Sequence, residues 1–100
     1  MAKYKLCILP VAQKDMQEIV DYVNTLSPSA ALNLYDEIVK GIDSLSEMPN
    51  RCALLKTPEL RVKGYRALLI KNYMVFYVVF DNVVQIRRIL YAKRQFEHLL

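Results

Sequence analysis

The run Tyr73–Phe80, YMVFYVVF, holds eight residues without a charge and is bounded by the polar pairs Lys71-Asn72 and Asp81-Asn82. A strand that is apolar on both faces belongs inside a sheet, with helices over one side and other chain over at least part of the second. The two-residue polar links predict hairpins, so Tyr65–Ile70 and Val83–Tyr91 are expected to flank this strand.

The first half carries the remaining elements. From Lys3 to Leu9 polar and apolar residues alternate, with Tyr4, Leu6 and Ile8 on one face, and the pattern stops at Pro10. This predicts a short strand. From Val11 to Leu26 the residues Ala12, Met16, Ile19, Val23 and Leu26 recur at helical spacing, with Lys14, Asp15, Glu18 and Asp21 on other faces. Ser27-Pro28-Ser29 supplies a capping hydroxyl followed by a proline suited to a first helical position. A second stripe, Ala31, Leu34, Ile38, Ile42 and Leu45, runs out at Met48-Pro49-Asn50. So short a link makes an antiparallel helical hairpin. Residues 50–64 show neither period and are expected to be a mobile loop. Lys93–Leu100 can form a short terminal helix with Phe96, Leu99 and Leu100 on one side. The order predicts one α+β domain: an N-terminal strand, a helical hairpin on one face of a mainly antiparallel four-stranded sheet, and a short C-terminal helix.

Charge divides the chain. Residues 1–50 hold four lysines against seven acids, whereas residues 51–100 hold ten cations against three acids, giving the net charge of +4. A focused positive field favours a polyanionic partner, a nucleic acid or a strongly acidic protein. No apolar run approaches the roughly 20 residues of a membrane span. The apolar stretch near the start is too short for a signal peptide, and a cytoplasmic protein is expected. Cys7 and Cys52 have no metal-ligand spacing, so reduced thiols and no metal or cofactor are expected, with Cys7 as a small core residue.

Several residues are candidates for a working surface. Arg87 and Arg88 are adjacent in a strand, so one of them should face the helices and pair with Asp15, Glu18 or Asp21, leaving the other for a partner. Arg61, Lys63 and Lys56 in the loop could clamp phosphates, and Lys71 and Lys93 are further candidates for contact with a nucleic acid or target. Tyr73 and Tyr77 share a face and either line a groove or join the core. Tyr91 is close to Arg94 and is the preferred aromatic site residue. Tyr22 and Tyr35 are expected in the core or facing a partner.

Sequence pieces along nearly the whole chain resemble the RelE/ParE family of bacterial type II toxins. They are Ala12-x-x-Asp-Met-x-Glu-Ile-x-x-Tyr22, Pro28-x-Ala-Ala, Leu45-x-x-Met-Pro, Gly64-Tyr-Arg66, Tyr73-Met-Val-Phe-Tyr77 and the run Ile86 to Arg94. The resemblance implies a small basic toxin held inactive by a co-expressed antitoxin in a hetero-oligomer. RelE-like members cleave messenger RNA on the ribosome without a metal, and ParE-like members poison DNA gyrase without hydrolysing anything themselves. The family pattern places Arg66 and Arg94 at basic positions of the nucleases, which favours the RelE-like reading. Arg94 and His98, spaced i, i+4 on the expected helix, would supply a phosphate contact and an acid or base. Met74 stands where RelE-type nucleases carry an arginine, and Leu100 stands near an expected tyrosine, departures that fit a gyrase poison. A basic RNA-binding module without activity is the third reading.

Overall fold

The computed structural model describes residues 3–100. Strand β1 (Lys5–Ile8) leads into helices α1 (Pro10–Leu26) and α2 (Pro28–Ser44), then a short helix α3 (Pro58–Val62) and strands β2 (Tyr65–Ile70), β3 (Tyr73–Phe80) and β4 (Val83–Tyr91). The sheet order is β1-β4-β3-β2, with β1 parallel to β4 and the other pairs antiparallel. The charge-free run is therefore an inner strand, and the two hairpins join it to β2 and β4 as its flanking polar pairs predict. The first residue of each hairpin link, Lys71 and Asp81, takes left-handed backbone with φ of 53°.

One residue joins the two long helices. The N–H of Ser27 donates to Val23 O (2.8 Å), ending α1, while its Oγ accepts from Ala30 N (3.3 Å), starting α2. With no further chain between them the helices must lie antiparallel, and their apolar stripes face the same side of the sheet. Ala12, Leu34, Ile38, Ile42 and Leu45 pack on Ile70, Val75, Tyr77, Val84, Ile86 and Ile89. Gly41 lets α2 come down on β2: a Cβ there would stand 3.0 Å from Ile70 Cγ1.

The opposite face of the sheet is covered too, as a strand apolar on both sides requires. Leu60, Tyr65, Phe76 and Leu90 form a second, smaller core, closed by Leu55, Phe96, Leu99 and Leu100. The Phe76 and Phe96 rings lie 4.7 Å apart. Val75, Phe76 and Tyr77, which alternate between the two faces, are all fully buried. Each such side chain contributes roughly 1.5–3 kcal/mol.

Three expectations need correction. Residues 50–64 are not a free loop: a 3₁₀ turn at Pro49–Arg51 and α3 interrupt them, Leu54 bridges to Arg66, and Leu55 N donates to Tyr65 O (2.9 Å). These elements are too short to show a period, and side chains hold them. Arg51 donates to Ser44 O (3.1 Å) and Ser44 Oγ (2.6 Å), while Tyr77 Oη donates to Pro49 O (2.6 Å). Nor is Lys93–Leu100 a helix; after a turn the chain runs without regular structure to a 3₁₀ turn at Glu97–Leu99. Burying Phe96, Leu99 and Leu100 against the sheet outweighs helix formation in so short a segment. Finally, Cys7 is exposed, because β1 is an edge strand and only Leu6 and Ile8 turn toward the helices.

Candidate functional site

β1 pairs with β4 only as far as Ile86, where Ile8 is its partner. Beyond that point the edge of β4 is left to α1. The carboxylate of Asp15 takes the place of the missing strand: its Oδ2 accepts from Ile89 N at 3.0 Å and from Arg88 Nε at 2.7 Å, and its Oδ1 accepts from Arg88 Nη2 at 2.9 Å. Asp15 is only 8% exposed. Its three charge-assisted bonds offset the cost of burying a carboxylate. The pair holds Arg88 charged, raising its pKa above the ordinary arginine value through the hydrogen bond to Asp15, against an opposing effect of burial.

Past this clamp an open cleft of about 490 Å³ separates α1 from the ends of β3 and β4. Glu18 and Tyr22, one helical turn apart, line the α1 wall. Tyr73 and Tyr91, cross-strand partners whose rings meet edge to face at 5.8 Å, line the sheet wall. Arg94 stands at the mouth, in the turn fixed by Ala92 N to Asn72 O (2.8 Å) and Arg94 N to Tyr91 O (3.0 Å). Burial raises the pKa of the Tyr73 phenol, and the neighbouring Tyr91 and Tyr22 phenols add to the effect. Among the described residues neither Glu18 nor Arg94 forms an ion pair or a side-chain hydrogen bond. The cleft thus presents a carboxylate, a guanidinium and three aromatic rings to a ligand.

The candidates from the sequence scatter. Tyr91 and Arg94 meet in the cleft, and Lys93 and Lys71 are exposed on the two turns that Ala92 and Asn72 tie together. Arg66 is elsewhere. It is registered opposite Tyr77, four residues along β3 from Tyr73 and so roughly 13 Å away. Its Nη1 donates to Cys52 O and Asn50 O, anchoring the 3₁₀ turn. His98 is exposed in the terminal 3₁₀ turn, is not among the residues lining the cleft, and is not joined to Arg94 by the helix the spacing assumed. Arg61 and Lys63 are exposed on α3 and its end, beside the second core.

The two adjacent arginines depart from simple alternation, because a bulge opposite Phe76 and Tyr77 leaves Arg87 without a partner residue. Arg87 lies 5.6 Å over the Tyr65 ring and donates to Gln85 Oε1 (3.1 Å). Arg88 makes the expected ion pair with the helical hairpin and also donates to Leu99 O (3.3 Å), so its guanidinium is committed to the fold.

Sequence reading missed Glu18 and Tyr22 as cleft residues and named Asp15 only as one of three possible partners for the inward arginine. A signal for each was present: Glu18 and Tyr22 are spaced i, i+4, and Ala12, Asp15 and Ile19 share a helix face.

A family model described as the ParE toxin of the type II toxin-antitoxin system, parDE, matches residues 8–96. Among solved structures, a chain of the chromosomal ParDE toxin–antitoxin system from P. aeruginosa superposes with a TM-score of 0.75 at 24% identity, covering 93% of this chain and 100% of that one. A chain of the toxin–antitoxin complex RelBE2 from Mycobacterium tuberculosis gives 0.63 at 19% identity, covering 89% of this chain and 98% of that one. No curated protein matches.

Proposed function

The chain belongs to the ParE toxin family of type II toxin–antitoxin systems, and we propose that it arrests growth by engaging DNA gyrase through the Arg94 cleft, with an antitoxin as its natural restraint. The observation that carries this reading is the separation of the residues an RNA-cleaving site would need. Cleavage without a metal requires a base, an acid and cations converging on one phosphate. Here Arg66 is bound to loop carbonyls and His98 is in the terminal 3₁₀ turn, outside the cleft lining. Met74 packs against the second core, and the raised Tyr73 phenol makes a poorer base at neutral pH. The cleft is better equipped to bind than to hydrolyse. A second reading, ribosome-dependent cleavage, draws support from Glu18 and Arg94 lining one cleft, a carboxylate with a cation.

A gyrase target places the protein in the cytoplasm, and no described helix is long and apolar enough to cross a membrane. For the antitoxin, the outer side of the helical hairpin offers the apolar ground. Two hollows of about 160 and 370 Å³ share Ile8 and Met16, with Val39 beside one and Tyr35 beside the other. Leu32, Tyr35 and Val39, at i, i+3 and i+7 on α2, are exposed. Tyr35→Asp should weaken co-purification with the antitoxin encoded beside it, and Arg94→Ala should not.

The deciding experiment adds the purified protein to gyrase with supercoiled DNA and, separately, to cell-free translation with 5′-end mapping of the message. Gyrase-dependent broken DNA with intact message, lost with Arg94→Ala, is expected. New 5′ ends at ribosome-occupied codons with gyrase unaffected would overturn the reading in favour of cleavage. Undisturbed growth on expression without antitoxin, with neither effect, would leave a basic RNA-binding module.

A further inference from the structure

We propose that the cleft between α1 and the ends of β3 and β4 binds a guanine mononucleotide, with the base between Tyr22 and Tyr91, its Watson–Crick edge on Glu18 and its phosphate on Arg94 and Lys93. The proposal rests on the reading of this cleft as a binding surface, not on the identity of the macromolecular target. At about 490 Å³ the cleft falls within the roughly 300–1,000 Å³ of small-molecule sites. Its walls are aromatic on both sides. Tyr22 is 65% exposed and Tyr91, although met by Tyr73, is 43% exposed, so both side chains leave surface open to a ligand. Stacking on such rings contributes about 1–3 kcal/mol per base.

The polar groups choose among the bases. An ionised Glu18 only accepts hydrogen bonds, so it needs donors. Guanine places two donors side by side on its Watson–Crick edge, N1–H and the 2-amino group, which match the two oxygens of one carboxylate. Adenine and cytosine each pair one amino donor there with a ring nitrogen that accepts, and uracil sets its single N–H between two carbonyls. At the other end the planar fork of Arg94 matches a phosphate, with Lys93 as a neighbouring point charge. The carboxylate belongs to α1 and the guanidinium to the turn after β4, so the two reach the cleft from different elements and can take opposite ends of one nucleotide. Among the described residues Glu18 forms no ion pair, and the guanidinium of Arg88 is hydrogen-bonded to Asp15 instead, so the Glu18 carboxylate is open to a ligand.

The test is isothermal titration of the purified protein with GMP, AMP, CMP, UMP and inorganic phosphate. GMP should bind about tenfold or more tightly than the other nucleotides, the discrimination given by one bidentate contact. Glu18→Gln should erase the preference among bases, and Arg94→Ala should weaken GMP while leaving guanosine unchanged. Phosphate binding as tightly as GMP, equal affinity for all four nucleotides, or no heat at millimolar GMP would each overturn the proposal. Glu18 is a surface side chain, so Glu18→Gln is expected to fold; circular dichroism checks this. No gyrase enters the assay, so a negative result here leaves the gyrase reading standing, and a negative gyrase result leaves this one.

Discussion

Asp15 and Arg88, 73 residues apart in the chain, meet through two parallel hydrogen bonds of 2.7 and 2.9 Å, and the same carboxylate holds the N–H of Ile89. Removing either partner strands a mostly buried charge, so Asp15→Ala or Arg88→Ala should cost about 3–5 kcal/mol in urea unfolding. The swapped pair Asp15→Arg with Arg88→Asp should not recover this loss, because arginine cannot accept from Ile89 N. Full recovery would show that the pair acts through charge alone.

Arg66 and Arg94 should separate cleanly. Arg66→Ala removes the donor that holds Cys52 and Asn50, and should lower stability by about 1–3 kcal/mol while leaving toxicity intact at a permissive temperature. Arg94→Ala should do the opposite, abolishing toxicity with unfolding unchanged to within about 0.5 kcal/mol. Loss of toxicity in a fully folded Arg66→Ala protein would return Arg66 to the site.

Tyr77 gives the fold an alkaline limit. Burial raises its phenol pKa above the ordinary tyrosine value, and the Cys52 thiol adds to this while Arg66 and Arg51 oppose it. The folded state therefore binds more protons than the unfolded state at high pH. Its contribution to stability is complete below about pH 10 and is lost as pH rises beyond it. Absorbance at 295 nm followed together with circular dichroism should show Tyr77 ionising only as the fold is lost. Tyr77→Phe should flatten the alkaline fall in stability and cost about 1–2 kcal/mol at neutral pH for the unpaired Pro49 carbonyl.

Gly41→Ala should destabilise by about 1–3 kcal/mol, because the new methyl meets Ile70 where α2 rests on β2. Pairing it with Ile70→Val, which removes the atom the methyl meets first, should recover part of that loss. An alanine variant as stable as the parent would mean that Ile70 repacks freely.

Much of this architecture was legible in the residues. A charge-free β3 between polar pairs dictates an inner strand with two hairpins, and the bounds of β2, β3 and β4 follow from it. Ser27-Pro28 marks the helix boundary through its own hydrogen bonds. What escaped was structure held by single side chains over long sequence distance: Tyr77 on Pro49, Arg66 on Cys52, Phe96 on Phe76. Such contacts leave no period. The cleft was half legible for the same reason. Tyr91 and Arg94 stand out where a strand ends, but Glu18 and Tyr22 join them only once α1 is laid beside β4.

The parallel pairing of β1 with β4 sets Lys5 beside Val83, so the sheet's first strand stays unpaired until almost its last is available. Contacts of such high sequence separation close slowly, after the local hairpins have formed. An unfinished chain lacking Val83–Tyr91 would have neither the Asp15 clamp nor the wall that carries Tyr91. Synthesis itself therefore imposes an order: however early α1 forms, the working cleft arises only after Val83–Tyr91 has been made and laid beside it.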